Sequence, residues 1–250
     1  MDLDWYGADL HVHTALSPCA DDSMSPRRIV RAAEERGISI LGIADHNSAA
    51  NAGAVVRAAE CTQVRVLPGM EVQTREEVHV LCLFDRLEPA LDLQGYVYER
   101  LPDLPYSPEV FGRQILYDEN DGVLGECRMP LYAAISAGLD DLAIEIDRLG
   151  GIMIAAHVDR QAFSVIGTLG LIPPEAGFDA VEISRRYKSG DIPQGLRRHI
   201  GEHAVVQSSD AHSVGEVGAA MTAFRIAAVT LEEMGLALRG EELRKVVILE

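Results

Sequence analysis

The run ISILGIAD (38–45) is apolar at nearly every position and rich in isoleucine. A strand of that kind needs cover on both faces, which a parallel sheet flanked by helices supplies. The run is not isolated. GADLHVHT (7–14) precedes it, and VRVLPGMEV (64–72), VHVLCLF (78–84), IMIAAHV (152–158), FDAVEIS (178–184), AVVQSSDAH (204–212) and the closing KVVILE follow it. Helical stretches lie between them. SPRRIVRAAEERG places Ser25 as N-cap, Pro26 in the first turn and Gly37 past the end. AANAGAVVRAAE (49–60), LDDLAIEIDRLG (139–150) and VTLEEMGLALRG (229–240) are helical by spacing, the last with Thr230 as cap. This many strand–helix units predict an α/β barrel in one domain over 1–250. Residues 86–137 break the rhythm with the proline-rich LPDLPYSPE and the turn-rich YDENDGVLGECRMP, and are expected to form a helical insertion or lid.

The polar residues collect where the strands should end. His11, His13, Asp45, His46, Glu71, His79, His157, Asp210 and His212 account for six of the 8 histidines. In a parallel barrel the strand ends converge on one face, where active sites lie. His-x-His and Asp-x-His on extended chain put both side chains on one face. Imidazole with carboxylate suits Zn, Mn or Fe, and the number of donors exceeds what one tetrahedral ion needs. Asp45 is expected as a cap or a carboxylate supporting a ligand, and Asp9 as a support or a strand-bottom contact. His199 and His203 are expected at the surface.

With 22 basic against 39 acidic residues, the net charge is −17. A broad basic grip on nucleic acid is therefore not expected, and long nucleic acid is not expected as a partner. No basic n-region precedes an apolar core and no apolar run approaches a membrane span, so neither leader nor membrane is expected. Cys19, Cys61, Cys82 and Cys127 are scattered, which fits reduced thiols in a cytoplasmic protein.

Taken in order, DLHVHTALSPCADDSMSP, GIADHN, the GME ending in Glu71, His79, AAHV and SSDAH resemble the polymerase-and-histidinol-phosphatase (PHP) phosphoesterases. The resemblance implies a distorted (β/α)7 barrel with a trinuclear centre of divalent ions. His11, His13, Glu71 and Asp210 would hold the first ion. Glu71 would bridge to a second, completed by His79 and His157. The third would take His46, His212 and an acidic residue. That residue departs from the common SDG turn: SPCADD stands there, with Pro at position 18. Asp21 is the chosen ligand, with Asp22 and Cys19 as alternatives, Cys19 being otherwise a buried spectator thiol. Val158 stands where a proline often follows the histidine.

The implied reaction is hydrolysis of a small phosphomonoester by metal-activated water, with Glu71, Asp210 and His212 as catalytic candidates. A phosphorylated nucleotide is the sharper expectation and a histidinol-phosphate-type substrate the alternative. Arg128, Arg160, Arg185 and Arg186, with Arg113 beside them, are the candidates for phosphate contact. A metal-dependent amidohydrolase-like enzyme would need a bridging lysine, and Lys188 and Lys245 are not placed to supply one. A catalytically silent metal-binding module would have lost ligands that this chain keeps.

Overall fold

The structure is a computed structural model that describes residues 2–249, apart from the side chain of Ser189. Eleven strands are present among them: β1 (Asp4–Val12), β2 (Ile40–Ile43), β3 (Arg65–Gln73), β4 (His79–Leu83), β5 (Ile115–Tyr117), β6 (Val123–Glu126), β7 (Ile152–Ala155), β8 (Ala180–Ile183), β9 (Val205–Gln207), β10 (Thr222–Ile226) and β11 (Lys245–Ile248). Nine form one sheet in the order β11-β10-β1-β2-β3-β4-β7-β8-β9, and β5 with β6 forms a separate hairpin.

The sheet curls into a nearly closed barrel. β1, β2 and β3 run parallel, as do β7, β8 and β9. At the end where the polar residues lie, Val12 bridges Ala211 beyond β9, with His13 N donating to Ala211 O at 3.0 Å. A ring of seven strands thus closes there. At the opposite end β10 pairs antiparallel with β1 from Asp4 to Ala8 and separates it from β9. Thr222, whose hydroxyl donates to Gln207 O and accepts from Gln207 N, ties β10 to β9.

Two apolar layers hold the ring. Inside it, Ala8, Leu10, Ile40, Leu67, Leu81, Ile154, Ala180, Val206 and Phe224 pack together with Leu231 and Met234. Outside it, the alternate residues Leu41, Ile43, Val66, Met70, Val80, Met153 and Val181 pack under the helices. Helix Pro26–Glu35 buries Ile29, Val30, Ala32 and Ala33 in that outer layer. Helix Leu231–Arg239 starts where Thr230 accepts from Glu233 N at 3.2 Å.

Three features depart from the sequence reading. First, β4 runs antiparallel to both neighbours. His79 is therefore at the amino end of its strand, and the reversal is what brings it to the same face as the other strands' carboxyl ends. Second, the sequence reading assigns no strand to Thr222–Ile226, the one that pairs with the start of β1. Third, the 86–137 segment divides. Helix Leu87–Tyr98 buries Ala90, Leu93 and Val97 in the outer layer, and only the stretch after it is irregular, carrying helix Pro108–Phe111 and the β5–β6 hairpin. No helix among the described residues is long and apolar enough to cross a membrane.

Candidate metal centre

Glu71 occupies the middle of the site. It lies on β3, 1% exposed, on the inner face two pleats above Leu67. Its Oε1 is 2.9 Å from His79 Nδ1, 3.1 Å from His157 Nε2 and 3.5 Å from His11 Nε2. Its Oε2 is 3.0 Å from His46 Nδ1 and 3.6 Å from His13 Nε2. Burial alone would raise its pKa, but His79, His11 and His46 outweigh that and hold the carboxyl well below its usual range.

Beside it, His11 Nε2 and His13 Nε2 face each other at 3.0 Å, and Asp210 Oδ1 lies 3.4 Å and 3.2 Å from them. Burial opposes ionisation of Asp210, yet His11 and His13 keep it ionised far below the ordinary carboxylate value. His212 stacks on His13 with ring centroids 4.2 Å apart, and His46 lies 4.7 Å from His13. Three donor groups have their ligand atoms within 4.8 Å of one another: His13–His46–His212, His11–His13–Asp210 and His46–Glu71–His79. Ring nitrogens turned toward each other with carboxylates between them are a donor set that fits divalent cations.

The local backbone explains the convergence. Between Asp9 and Val12 the β1–β2 register gains a residue, a bulge that re-aims side chains. Leu10 stays in the inner layer and Val12 joins the outer one. Asp9 consequently leaves the face that His11 and His13 occupy. It accepts from Ser209 N at 3.0 Å and Gly218 N at 2.7 Å; burial pushes its carboxyl up to about 6 against those bonds. His157 and Asp210 have left-handed backbone, φ 30° and 50°, a conformation kept where surrounding structure demands it.

Supporting polar groups fix these side chains. Asp45 accepts from Thr14 N, Thr14 Oγ1 and Ser17 Oγ, each at 2.7 Å. Ser17 Oγ is in turn 2.9 Å from His13 Nδ1 and accepts from His46 N at 3.1 Å. Glu182 is a residue that the sequence reading misses. Its Oε2 is 3.0 Å from His11 Nδ1 and accepts from His157 N at 3.1 Å, the carboxylate–histidine arrangement that orients metal ligands. One signal was available, a lone glutamate inside the apolar FDAVEIS strand.

Of the residues expected at the site, the structure brings together His11, His13, His46, Glu71, His79, His157, Asp210 and His212. It does not bring Asp21. That side chain is at the surface, accepting from Ser23 N at 2.7 Å, while its backbone N donates to His212 O at 2.8 Å. Asp22 pairs with Arg113 at 2.8 Å. The Cys19 thiol belongs to an exposed residue rather than a buried spectator. Desolvation raises that thiol, but bonding with His212 and His46 overrides it and brings it to about 6.

Among the arginines, Arg160 bonds Asp210 Oδ2 directly. Arg185 pairs with Glu216 at 2.6 Å, and Glu216 accepts from His212 N at 3.2 Å. Arg128 pairs with Glu126 at 3.0 Å on the β5–β6 hairpin, and Arg186 is exposed after β8. His199 is exposed and His203 half-buried, neither at the cluster. Phe163 is 44% exposed yet stacks on His79 with centroids 4.9 Å apart.

A curated 5'-3' exoribonuclease from Haemophilus influenzae is 30% identical over 87 residues, 33% of this chain and 31% of the relative. The lesion-specific endonuclease Q of Pyrococcus furiosus superposes with TM-score 0.73 at 18% identity, over 97% of this chain and 58% of that one. A protein from Bifidobacterium adolescentis assigned as a metal-dependent phosphoesterase gives TM-score 0.56 at 18% identity, over 83% and 88% of the two chains. The chain thus spans about a third of the curated relative and 58% of the first structural one.

These findings correct one expectation. Endonuclease Q is also known with a 27-mer duplex carrying an abasic lesion at its active site, so the acidic total does not exclude nucleic acid. Net charge sums the whole surface, whereas bound cations set the field in the cleft. The profile of the PHP domain matches residues 9–164, more than half of the chain. The chain belongs to the PHP domain family of metal-dependent hydrolases.

Proposed function

We propose that this protein hydrolyses phosphate esters carried on nucleotides, free or within a polynucleotide, at a centre of three divalent ions. The observation that carries the reading is Glu71 with five histidines within 3.6 Å of its oxygens. Bound there, divalent ions polarise phosphoryl oxygens and activate water.

The chain's own residues do the rest. Glu71 offers separate oxygens to the His79–His157 side and to the His46 side. Asp210 steadies His11 and His13 with one oxygen and holds Arg160 with the other. A guanidinium has further donors, and the Arg160 side chain is 46% exposed, so those donors meet an incoming phosphate oxygen at the rim. Phe163 offers a ring on which a base stacks, a contact indifferent to base identity.

The test is a substrate panel on metal-loaded protein. It contains a general phosphomonoester, 5'-nucleotides with and without a 3'-phosphate, histidinol phosphate, a single-stranded oligonucleotide and an abasic duplex. Turnover of the nucleotide-bearing members is expected, with Phe163→Ala raising KM more than it lowers kcat. Metal-loaded protein that hydrolyses none of them overturns the reading.

A further inference from the structure

We infer that the substrate is a single-stranded polynucleotide, and that a base beside the attacked phosphate stacks on the aromatic cluster of Tyr106, Phe111 and Tyr132. This rests on the hydrolase reading above and deepens it by naming the substrate class. Phe111 and Tyr132 stack with ring centroids 4.1 Å apart and 15° between their planes. Tyr106 lies 6.0 Å from Phe111 and 6.3 Å from Tyr132. Three rings in one column would set the outer two much farther apart, so Tyr106 stands beside the pair and does not cap it. Phe111 is 38% exposed, which leaves ring surface open to a ligand.

The cluster borders the metal centre at two points. Asn47, the residue after His46, donates to Leu131 O and Ala133 O at 2.8 Å and so grips the backbone on either side of Tyr132. Gly112, the residue after Phe111, has φ 100°, and a Cβ there would stand 2.1 Å from Pro18 O. Pro18 follows Ser17, whose Oγ is 2.9 Å from His13 Nδ1. Phe163, stacked on His79, is a separate ring surface on another segment. A mononucleotide has one base to offer; two ring surfaces at one cleft suit bases of successive nucleotides, whatever their identity. Charge points the same way. Arg113 and Arg128 flank the cluster in the chain, with side chains 48% and 63% exposed. Arg113 bonds Glu126 and Asp22, and Arg128 bonds Glu126. A guanidinium carries five N–H donors, so both keep donors for backbone phosphates. A proline-rich peptide also docks on aromatic surfaces, but it offers these guanidiniums no anion.

The experiment measures binding to full-length, metal-loaded protein by fluorescence anisotropy. The ligand is a dye-labelled single strand of about ten bases, a length such surfaces hold, with a phosphorothioate backbone that resists hydrolysis. An abasic strand of the same length and a proline-rich peptide are the controls. Phe111→Leu and Tyr132→Leu keep apolar packing and remove the π face. Each is expected to weaken binding of the base-bearing strand about fivefold or more and of the abasic strand by less than about twofold, while Phe111→Trp binds at least as tightly as wild type. A 2-aminopurine in the strand should lose fluorescence on wild-type protein and recover it in Phe111→Leu. Equal affinity and equal quenching in wild type and both leucine variants overturn the inference, as does peptide binding without strand binding; either result leaves hydrolysis of mononucleotides standing. Stacking in protein that hydrolyses no member of the substrate panel supports the surface and overturns the hydrolase reading alone.

Discussion

Gly42→Ala is the substitution that most directly tests how the bulge in β1 serves the site. Gly42 lies on β2 between Leu41 and Ile43, opposite the extra residue of β1. A Cβ there would stand 2.3 Å from Leu10 O, 2.7 Å from Leu10 C and 2.8 Å from Leu10 Cα. Real Cβ atoms keep at least 3.0 Å, and ordinarily 3.4 Å or more. The backbone at Leu10 must therefore retreat by about 0.7–1.1 Å, and no flexible side chain is available to yield instead. His11 is the next residue, with His13 two further on. A displacement of about 1 Å at reacting groups costs on the order of 100-fold in rate. The overpacking itself costs about 1–3 kcal/mol, which in a chain of this size lowers Tm by roughly 2–12 °C. The assay pairs thermal unfolding with metal content and turnover on the best substrate of the panel. Reduced turnover together with weakened metal binding is expected. Wild-type turnover and metal content in Gly42→Ala, whatever its Tm, would refute the coupling between bulge and site.

Three further outcomes are expected. Glu182→Gln keeps an acceptor for His11 Nδ1 and His157 N but removes the charge, so metal affinity should fall about 10-fold, against about 100-fold for Glu182→Leu; competition with a chelator measures both, and equal wild-type affinities would dismiss the role. Glu233 is held near a pKa of about 2 by Arg244, below its ordinary 4.5. A depressed carboxyl contributes stability above its unfolded pKa and loses it on acidification, so this contribution is present above about 4.5 and fades toward 2; Glu233→Gln should flatten that part of the stability–pH curve, and an unchanged curve would reject the pair. Asn47 donates to Leu131 O and Ala133 O at 2.8 Å and accepts from Gln73 N at 3.0 Å; Asn47→Ala should make the stretch after Tyr98 cleave faster under limited proteolysis, with an unchanged cleavage rate counting against this anchor.

Much of this architecture is legible in the chain. Apolar runs of strand length alternating with capped helices lead to the barrel, and the histidines and carboxylates at their ends lead to one face. What the alternation rule hides is phase. It assigns Asp9 to the face of His11 and His13, and the bulge breaks that rule by inserting one residue. The reversal of β4 had a sign: Thr74–Val78 is too short to carry a parallel crossover. Asp21 misleads for a chemical reason. An aspartate two residues before a free backbone N–H closes a turn on itself, and this one does so with Ser23. Glu182 stayed hidden because a buried strand gives no indication of which partner a single carboxylate serves.

The division of labour at Glu71 has a consequence for how metal is counted. One oxygen serves His79 and His157 while the other serves His46, so ions bound on the two sides, as proposed, would share a single negative charge. Occupancies of the positions would then be linked equilibria: each cation that arrived would draw on the charge the next one needs, and partly filled species would be populated over a wide span of free metal. With such a centre, the stoichiometry of a purified sample would follow the metal activity of its last buffer rather than a fixed complement.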